Sequence, residues 1–299
     1  MGPKDERLSE IQDWKGKVAL ITGATSGIGL GIAQAFAEAG MRVALGYRRI
    51  ETVSDAIAKL GIDRALILPV EMDVRFPESV SDAVAEVVET FGALNVLVNN
   101  AGIQNPSAIA SLGIDEWREM MATNVDGVFY GVRAALPHIL GTGELGHVLT
   151  TGSILGLFTG GDGRYGAYCT SKFAVTGMME ALRWDLESTS AGVSLLCPGR
   201  VRSNLEAHLK DAPAALDPLE IGRVALRGMC RNDLYILSHP EFIPVVRARA
   251  DLIASSATED IAAGSARLSF AREALEYSGY ERERKRMIAS TIPSHFSVK

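Results

Sequence analysis

Tyr168 and Lys172 stand four residues apart in the run Tyr168-Cys169-Thr170-Ser171-Lys172. On a helix, positions i and i+4 share a face, so a phenol and an ammonium at this spacing can lie together. A tyrosine hydroxyl, with a pKa of roughly 10, is a poor base at neutral pH, and a neighbouring positive charge favours its ionised form. Such a pair can pass a proton to or from a substrate oxygen. The same spacing also occurs as an ordinary exposed helix pair, so its surroundings must decide. Tyr165 is a weaker candidate because its i+4 neighbour is Cys169, which supplies no charge.

A second constellation begins at the strand-like run Val18-Ala19-Leu20-Ile21. It enters Thr22-Gly23-Ala24-Thr25-Ser26-Gly27-Ile28-Gly29, and a helical pattern starts at once. Backbone amides at a helix N-terminus lack intrahelical partners and carry the positive end of the helix dipole, so the turn suits a pyrophosphate. Glycines serve where the chain turns sharply or approaches a ligand closely. A plain glycine-rich connection is the alternative, and the position after the first strand weighs against it.

The elements that must position these groups alternate in type. Strand-length apolar runs at 17–22, 42–46, 65–71, 96–99, 147–151, 193–197 and 234–237 are separated by amphipathic segments. That alternation predicts a parallel sheet covered by helices on both faces, an α/β doubly wound fold of the Rossmann type with seven strands. Asp217-Pro218-Leu219-Glu220 predicts a helix start, with a capping Asp, Pro at the first helical position and Glu three residues after the cap. No repeat or linker divides the chain, so 1–299 reads as a single domain with a core over about 15–240. A helical C-terminal tail over about 241–288 ends in the charge-alternating Glu281 to Arg286, which reads as a solvated face.

Composition narrows the partners. Hydrophobic residues make up 47% and charged residues 22%, an ordinary globular balance. Thirty basic against thirty-six acidic residues give a net charge of -6, which argues against a general nucleic-acid binder. No run reaches membrane-spanning length, and Met1 to Lys15 is polar, so no membrane role and a cytoplasmic location are expected. Cys169, Cys197 and Cys230 form no metal-ligand spacing, and the five histidines are scattered. No metal is expected.

The spacing T-G-x-x-x-G-x-G resembles the short-chain dehydrogenase/reductase family. Asp73, Asn99-Asn100-Ala101-Gly102, Asn124, Ser153, Tyr168 with Lys172, and Pro198-Gly199 follow in the order that family shows, from about Lys17 to Gly199. The resemblance implies an oxidoreductase that moves a hydride between a nicotinamide cofactor and a carbonyl or alcohol carbon. It implies Tyr168 as general acid/base, Lys172 lowering its pKa and bonding the nicotinamide ribose, and Ser153 bonding the substrate oxygen. Asn124 would complete the set by holding a water that links Lys172 to solvent. It further implies cofactor contacts from Gly23, Thr25, Ser26, Gly27, Ile28 and Gly29, from Asp73 and Val74 at the adenine, and from Asn100, Ala101 and Gly102 below its ribose. Pro198, Gly199, Val201 and Ser203 would meet the nicotinamide, and Asn99 has bracing of the sheet as its alternative.

Cofactor choice turns on the second strand, which ends Leu45-Gly46-Tyr47-Arg48-Arg49. NAD-binding members carry an acidic residue here that bonds the ribose hydroxyls and repels an extra phosphate. Tyr47 takes that place, and Arg48 and Arg49 follow with guanidinium groups suited to phosphate. NADP(H) is therefore favoured over NAD(H), with solvated loop arginines as the alternative reading and Ser26 where some NADP enzymes carry a basic residue. The loop between Ser153 and Tyr168 holds Gly156, Gly160, Gly161 and Gly163, with Leu155, Leu157, Phe158 and Ile103 as candidate apolar walls. Residues 200–216 correspond to a substrate lid carrying Arg202, Glu206, His208 and Lys210, more simply solvated than substrate-bound. The ending beyond Asn232 is similar to bacterial aryl secondary-alcohol dehydrogenases of the lignin-dimer Cα type. The family resemblance also implies a homodimer or homotetramer. Phe173, Met178, Met179, Leu182 and Trp184 are compatible with an interface or equally with burial inside one subunit.

Overall fold

The computed structural model describes residues 13–160, 163–203, 205, 215–256 and 279–284. Seven strands form one sheet: β1 Val18–Ile21, β2 Arg42–Tyr47, β3 Ile67–Glu71, β4 Val96–Asn99, β5 Gly146–Thr151, β6 Ala191–Cys197 and β7 Tyr235–Leu237. Their spatial order is 3-2-1-4-5-6-7, and every neighbouring pair is parallel. Each predicted strand is present, with ends that differ by at most two residues.

Alternation along each strand divides the core into two layers. Ala19, Ile21, Val43, Leu45, Val96 and Val98 face one side with Ile32, Phe36, Ile221 and Met229 from α1 (Gly27–Glu38) and α7 (Pro218–Cys230). Val18, Leu20, Ala44, Leu97 and Val148 face the other, against α3 (Pro77–Phe91), α5 (Gly127–Gly141) and α6 (Gly166–Asp185). Strands buried on both faces explain the nearly continuous apolar runs in the sequence. Two shorter helices, α2 (Val53–Leu60) and α4 (Ile114–Met121), complete this part of the chain.

The predicted helix start at Asp217 is present: its carboxylate accepts from Leu219 N at 2.9 Å. Met179 and Leu182 of α6 are buried in the second core layer, so burial within the chain accounts for them. A boundary between two compact units falls after Pro240. The sheet lies in the first unit, and α8 (Ile243–Ser255) lies in the second, followed among the described residues by a helical turn at 280–284. The rest of the predicted tail helix falls outside the described residues, as do Gly161 and the lid residues Glu206, His208 and Lys210.

All seven strands run in one direction, so Thr22, Tyr47, Asp73, Asn100, Ser153 and Pro198 gather at the carboxyl ends of β1 to β6. In open α/β sheets the ligand crevice lies outside those ends. Among the described residues no group of side chains could hold a metal, and no helix is long and apolar enough to cross a membrane.

Candidate active site

Helix α6 carries Tyr168, Lys172, Val175, Met179 and Leu182 along one buried stripe. The last three anchor in the core, and the same helical phase therefore drives Tyr168 and Lys172 inward beside the ends of β5 and β6. Tyr168 is only 6% exposed and Lys172 5%. Lys172 Nζ lies 5.7 Å from the Tyr168 ring centroid and donates to the carbonyl of Thr151 at 2.8 Å. Burial lowers the Lys172 pKa to about 8, because the charged form loses hydration; its electrostatic interaction with Cys197 acts in the opposite direction. Burial pushes the Cys197 thiol up to about 12.

Ser153 follows β5 and is buried. Its Oγ accepts from Leu155 N at 3.1 Å, capping the short turn Ile154–Gly156, and its own hydrogen is left to donate elsewhere. The adjacent Ile154 N donates to the carbonyl of Pro198 at 3.0 Å, tying the serine segment to the turn after β6. Ile103, Leu155, Trp117 and Tyr165 pack with Tyr168, Ala167 and Met120 in a separate apolar cluster. Leu157 instead packs against the second core layer.

Asn124 sits in a π-helical stretch, Ala122–Asp126, between α4 and α5. Such widened turns re-aim one side chain, and here it points inward. Its Oδ1 accepts from Ile103 N at 2.8 Å, while Nδ2 donates to Ile103 O at 2.9 Å and to Ser171 Oγ at 3.0 Å. Asn124 thus fixes the loop after β4 to the helix carrying Tyr168 and Lys172. Gly102 stands between them: a Cβ there would lie 3.3 Å from Asn124 Oδ1 and 3.9 Å from Lys172 Nζ.

The glycine turn has the shape of an anion cradle. Gly23 and Gly27 have φ of +62° and +53°, which residues with a Cβ rarely adopt. A Cβ on Gly27 would also come within 3.0 Å of Ser203, so the segment after β6 closes over this turn. Ser26, the cap of α1, makes no side-chain bond to the helix, and its neighbour Thr25 is held by the hydroxyl of Thr52 at 2.9 Å. Asn100 and Ala101 donate their amides to Thr22 Oγ1, both at 2.9 Å, and the Asn100 side chain reaches Thr22 O at 2.9 Å. Asn99 is buried and donates to Thr150 Oγ1 at 3.4 Å, which is the sheet-bracing position.

At the ends of β2 and β3, Tyr47 is half-buried while Arg48 and Arg49 are exposed. Asp73 pairs with Arg75, whose Nη2 lies 2.6 Å from its Oδ2, and that guanidinium holds the carboxyl below its usual range; Arg48 adds a smaller pull in the same direction. Val74 is buried beside it. These features suit a dinucleotide: an open helix N-terminus, a close-packed turn with glycine at 23, 27 and 29, and charged or amide groups at successive strand ends. Arg75, Thr52 and the carbonyl of Thr151 are contributors that pattern reading passes over, since none belongs to a motif. His239, after β7, is another, and its only sequence signal is a His-Pro step.

Residues 17–214 match the protein-family model described as short chain dehydrogenase. The 2,5-dichloro-2,5-cyclohexadiene-1,4-diol dehydrogenase of Sphingobium indicum is 32% identical over 223 residues, covering 71% of this chain and 88% of its own. The C alpha-dehydrogenase of Sphingobium sp. is 28% identical over 255 residues, covering 77% and 83%. A short chain dehydrogenase/reductase from Burkholderia phymatum, solved in complex with NAD, superposes with a TM-score of 0.77 at 28% identity, over 84% of this chain and 99% of that one. The matched segment contains both the glycine turn and the Tyr168–Lys172 pair, and the chain belongs to the short-chain dehydrogenase/reductase family, oxidoreductases that include dehydrogenases of alcohols.

Proposed function

We propose that this protein interconverts a ketone and a secondary alcohol with NADP(H) as the favoured cofactor. The observation that carries the reading is the burial of Tyr168, Lys172 and Ser153 together at the strand ends that also present the glycine turn. The bound cofactor supplies or accepts the hydride. Its pyrophosphate would be held by the amides of the turn from Gly23 to Gly29, its adenine side by Asp73 and Val74, and its ribose groups by Asn100 to Gly102 and Lys172. Tyr168 gives its phenolic proton to the carbonyl oxygen during reduction and takes it back during oxidation. Ser153 donates to the same oxygen and stabilises the charge developing there. Lys172 places a positive charge near the phenol, and Asn124 holds Ile103 and Ser171 so that the walls around the pair keep their spacing.

Arg48 is the residue we assign to the extra phosphate of NADP(H). Its exposure leaves its guanidinium available to a phosphate, and no carboxylate stands at the end of β2 to repel one. The second reading, an NAD-preferring alcohol dehydrogenase, is favoured by the NAD carried by the Burkholderia phymatum neighbour. A bulky or aryl-bearing substrate accords with the C alpha-dehydrogenase relative and with the apolar cluster of Ile103, Leu155, Trp117 and Tyr165 beside Tyr168. A homodimer or homotetramer accords with Phe129, 49% exposed on α5, and a cytoplasmic location with a sequence that holds only three cysteines.

Oxidation of NADPH and of NADH, measured against a panel of aryl ketones, diketones and 3-oxoacyl thioesters, tests the whole reading. NADPH oxidation that depends on a ketone is the expected result. A preference for NADH moves the protein to the second reading, and binding without turnover across the panel makes it a dinucleotide sensor.

A further inference from the structure

The turn after β6 is held by a histidine forty residues away, and we infer that His239 is a positioning residue for the cofactor half nearest Tyr168. The inference rests on the oxidoreductase reading above and adds to it a residue that belongs to none of the motifs.

The geometry is specific. His239 is only 3% exposed, and its ring covers the turn edge-on to two successive backbone groups. Gly199 N donates to Nδ1 at 2.9 Å, and Nε2 lies 3.1 Å from the carbonyl of Arg200. An amide nitrogen can only donate and a carbonyl can only accept, so the imidazole must carry its hydrogen on Nε2 and present Nδ1 bare. Ser238 Oγ lies 2.9 Å from the same Nδ1. The ring sits so close that a Cβ on Gly199 would come within 2.7 Å of His239 Cγ. Glycine at 199 and histidine at 239 therefore fit as a pair.

What the clamp holds is the strip of chain between the two halves of the candidate site. At one end, Pro198 O accepts from Ile154 N, next to Ser153. At the other, Ser203 lies against Gly27 of the phosphate-binding turn. A dinucleotide whose pyrophosphate occupies that turn and whose reactive ring reaches Tyr168 must pass along residues 198–203. Past the clamp, Val201 bridges Leu216, and Arg202 N donates to Leu216 O at 3.0 Å, so the strip is also fixed at the base of the 200–216 segment. The middle of the strip has His239 as its brace, and hydride transfer is sensitive to misplacement of about 1 Å.

The test is steady-state kinetics together with cofactor affinity from nucleotide fluorescence, measured on His239→Ala, His239→Asn and His239→Gln. Losing both bonds should lower kcat with a ketone about tenfold or more and weaken NAD(P)H binding by a similar factor, while the KM for ketone changes little. His239→Asn keeps an acceptor for Gly199 and His239→Gln a donor for Arg200, so each should recover part of the loss. A cofactor affinity and kcat equal to wild type in all three variants, with folding confirmed by circular dichroism, overturns the inference. So does an equal loss in all three variants that matches lowered thermal stability, which marks a merely structural histidine. Wild-type protein that binds nucleotide but turns over no ketone sinks the oxidoreductase reading instead, and the affinity measurement still judges His239.

Discussion

Lys172 Nζ lies 5.7 Å from the centroid of the Tyr168 ring, and the carbonyl of Thr151 holds the ammonium in place. The two side chains share one buried helical stripe, so neither can turn away without opening the core. That relationship separates them from an exposed helix pair, which would leave both groups in water.

Tyr168→Phe removes only the transferable proton. Turnover should fall by a factor of about 10² to 10⁴, the usual worth of a positioned acid/base, with nucleotide affinity nearly unchanged. Stopped-flow or steady-state NADPH oxidation measures it, and turnover within a few-fold of wild type disproves the assigned role.

Lys172 loses its charge near pH 8 in the cofactor-free protein. The pH profile of kcat/KM for ketone reduction should therefore decline on its alkaline side from about pH 8. Lys172→Arg, charged at every accessible pH, should move that limb upward while lowering the maximum. The sign for stability is the reverse: the native pKa lies below the ordinary 10.5, so between the two values the unfolded chain binds more protons. Urea midpoints should then rise from pH 8 to pH 10 in wild type and lose that increment in Lys172→Met.

Arg48→Ala should raise the KM for NADPH by roughly ten- to a hundredfold, the worth of a charge-assisted phosphate contact, and leave the KM for NADH within a factor of two. Parallel kinetics with both nucleotides measures the split. An unchanged KM for NADPH removes Arg48 from the phosphate site.

Asp217 joins the base of the 200–216 segment to α7, pairing with Arg202 at 2.9 Å while its other oxygen caps Leu219. Asp217→Ala should cost about 1 kcal/mol through the lost cap, read from urea unfolding; the exposed ion pair adds little. The hydrogen bond from Arg202 holds the carboxyl below its ordinary 3.8. Its contribution is thus complete above that value and disappears as pH falls through the native one. Asp217→Asn should flatten that acid limb of stability.

Local patterns were the readable part. The strand–turn–helix around Gly23 to Gly29, the Tyr168–Lys172 spacing and the Asp217 cap each lie within a few residues, where backbone geometry alone dictates which groups meet. Asn124 was legible as a candidate but not in its contacts: widening of the helix at Ala122–Asp126 aims its amide at Ile103, twenty-one residues earlier. Arg75 lies two residues from Asp73, yet nothing in its spacing distinguishes it from any exposed arginine.

The sequence by itself determined the alternating α/β order, the parallel sheet and the identity of the groups at its carboxyl ends, because apolar period and glycine placement act over one element at a time. Only the tertiary structure decided that His239 closes on Gly199, that Ser203 lies on Gly27, and that Lys172 is buried deeply enough to titrate near 8. Those outcomes depend on how strands far apart in the chain come side by side, and on how much water the assembled layers exclude.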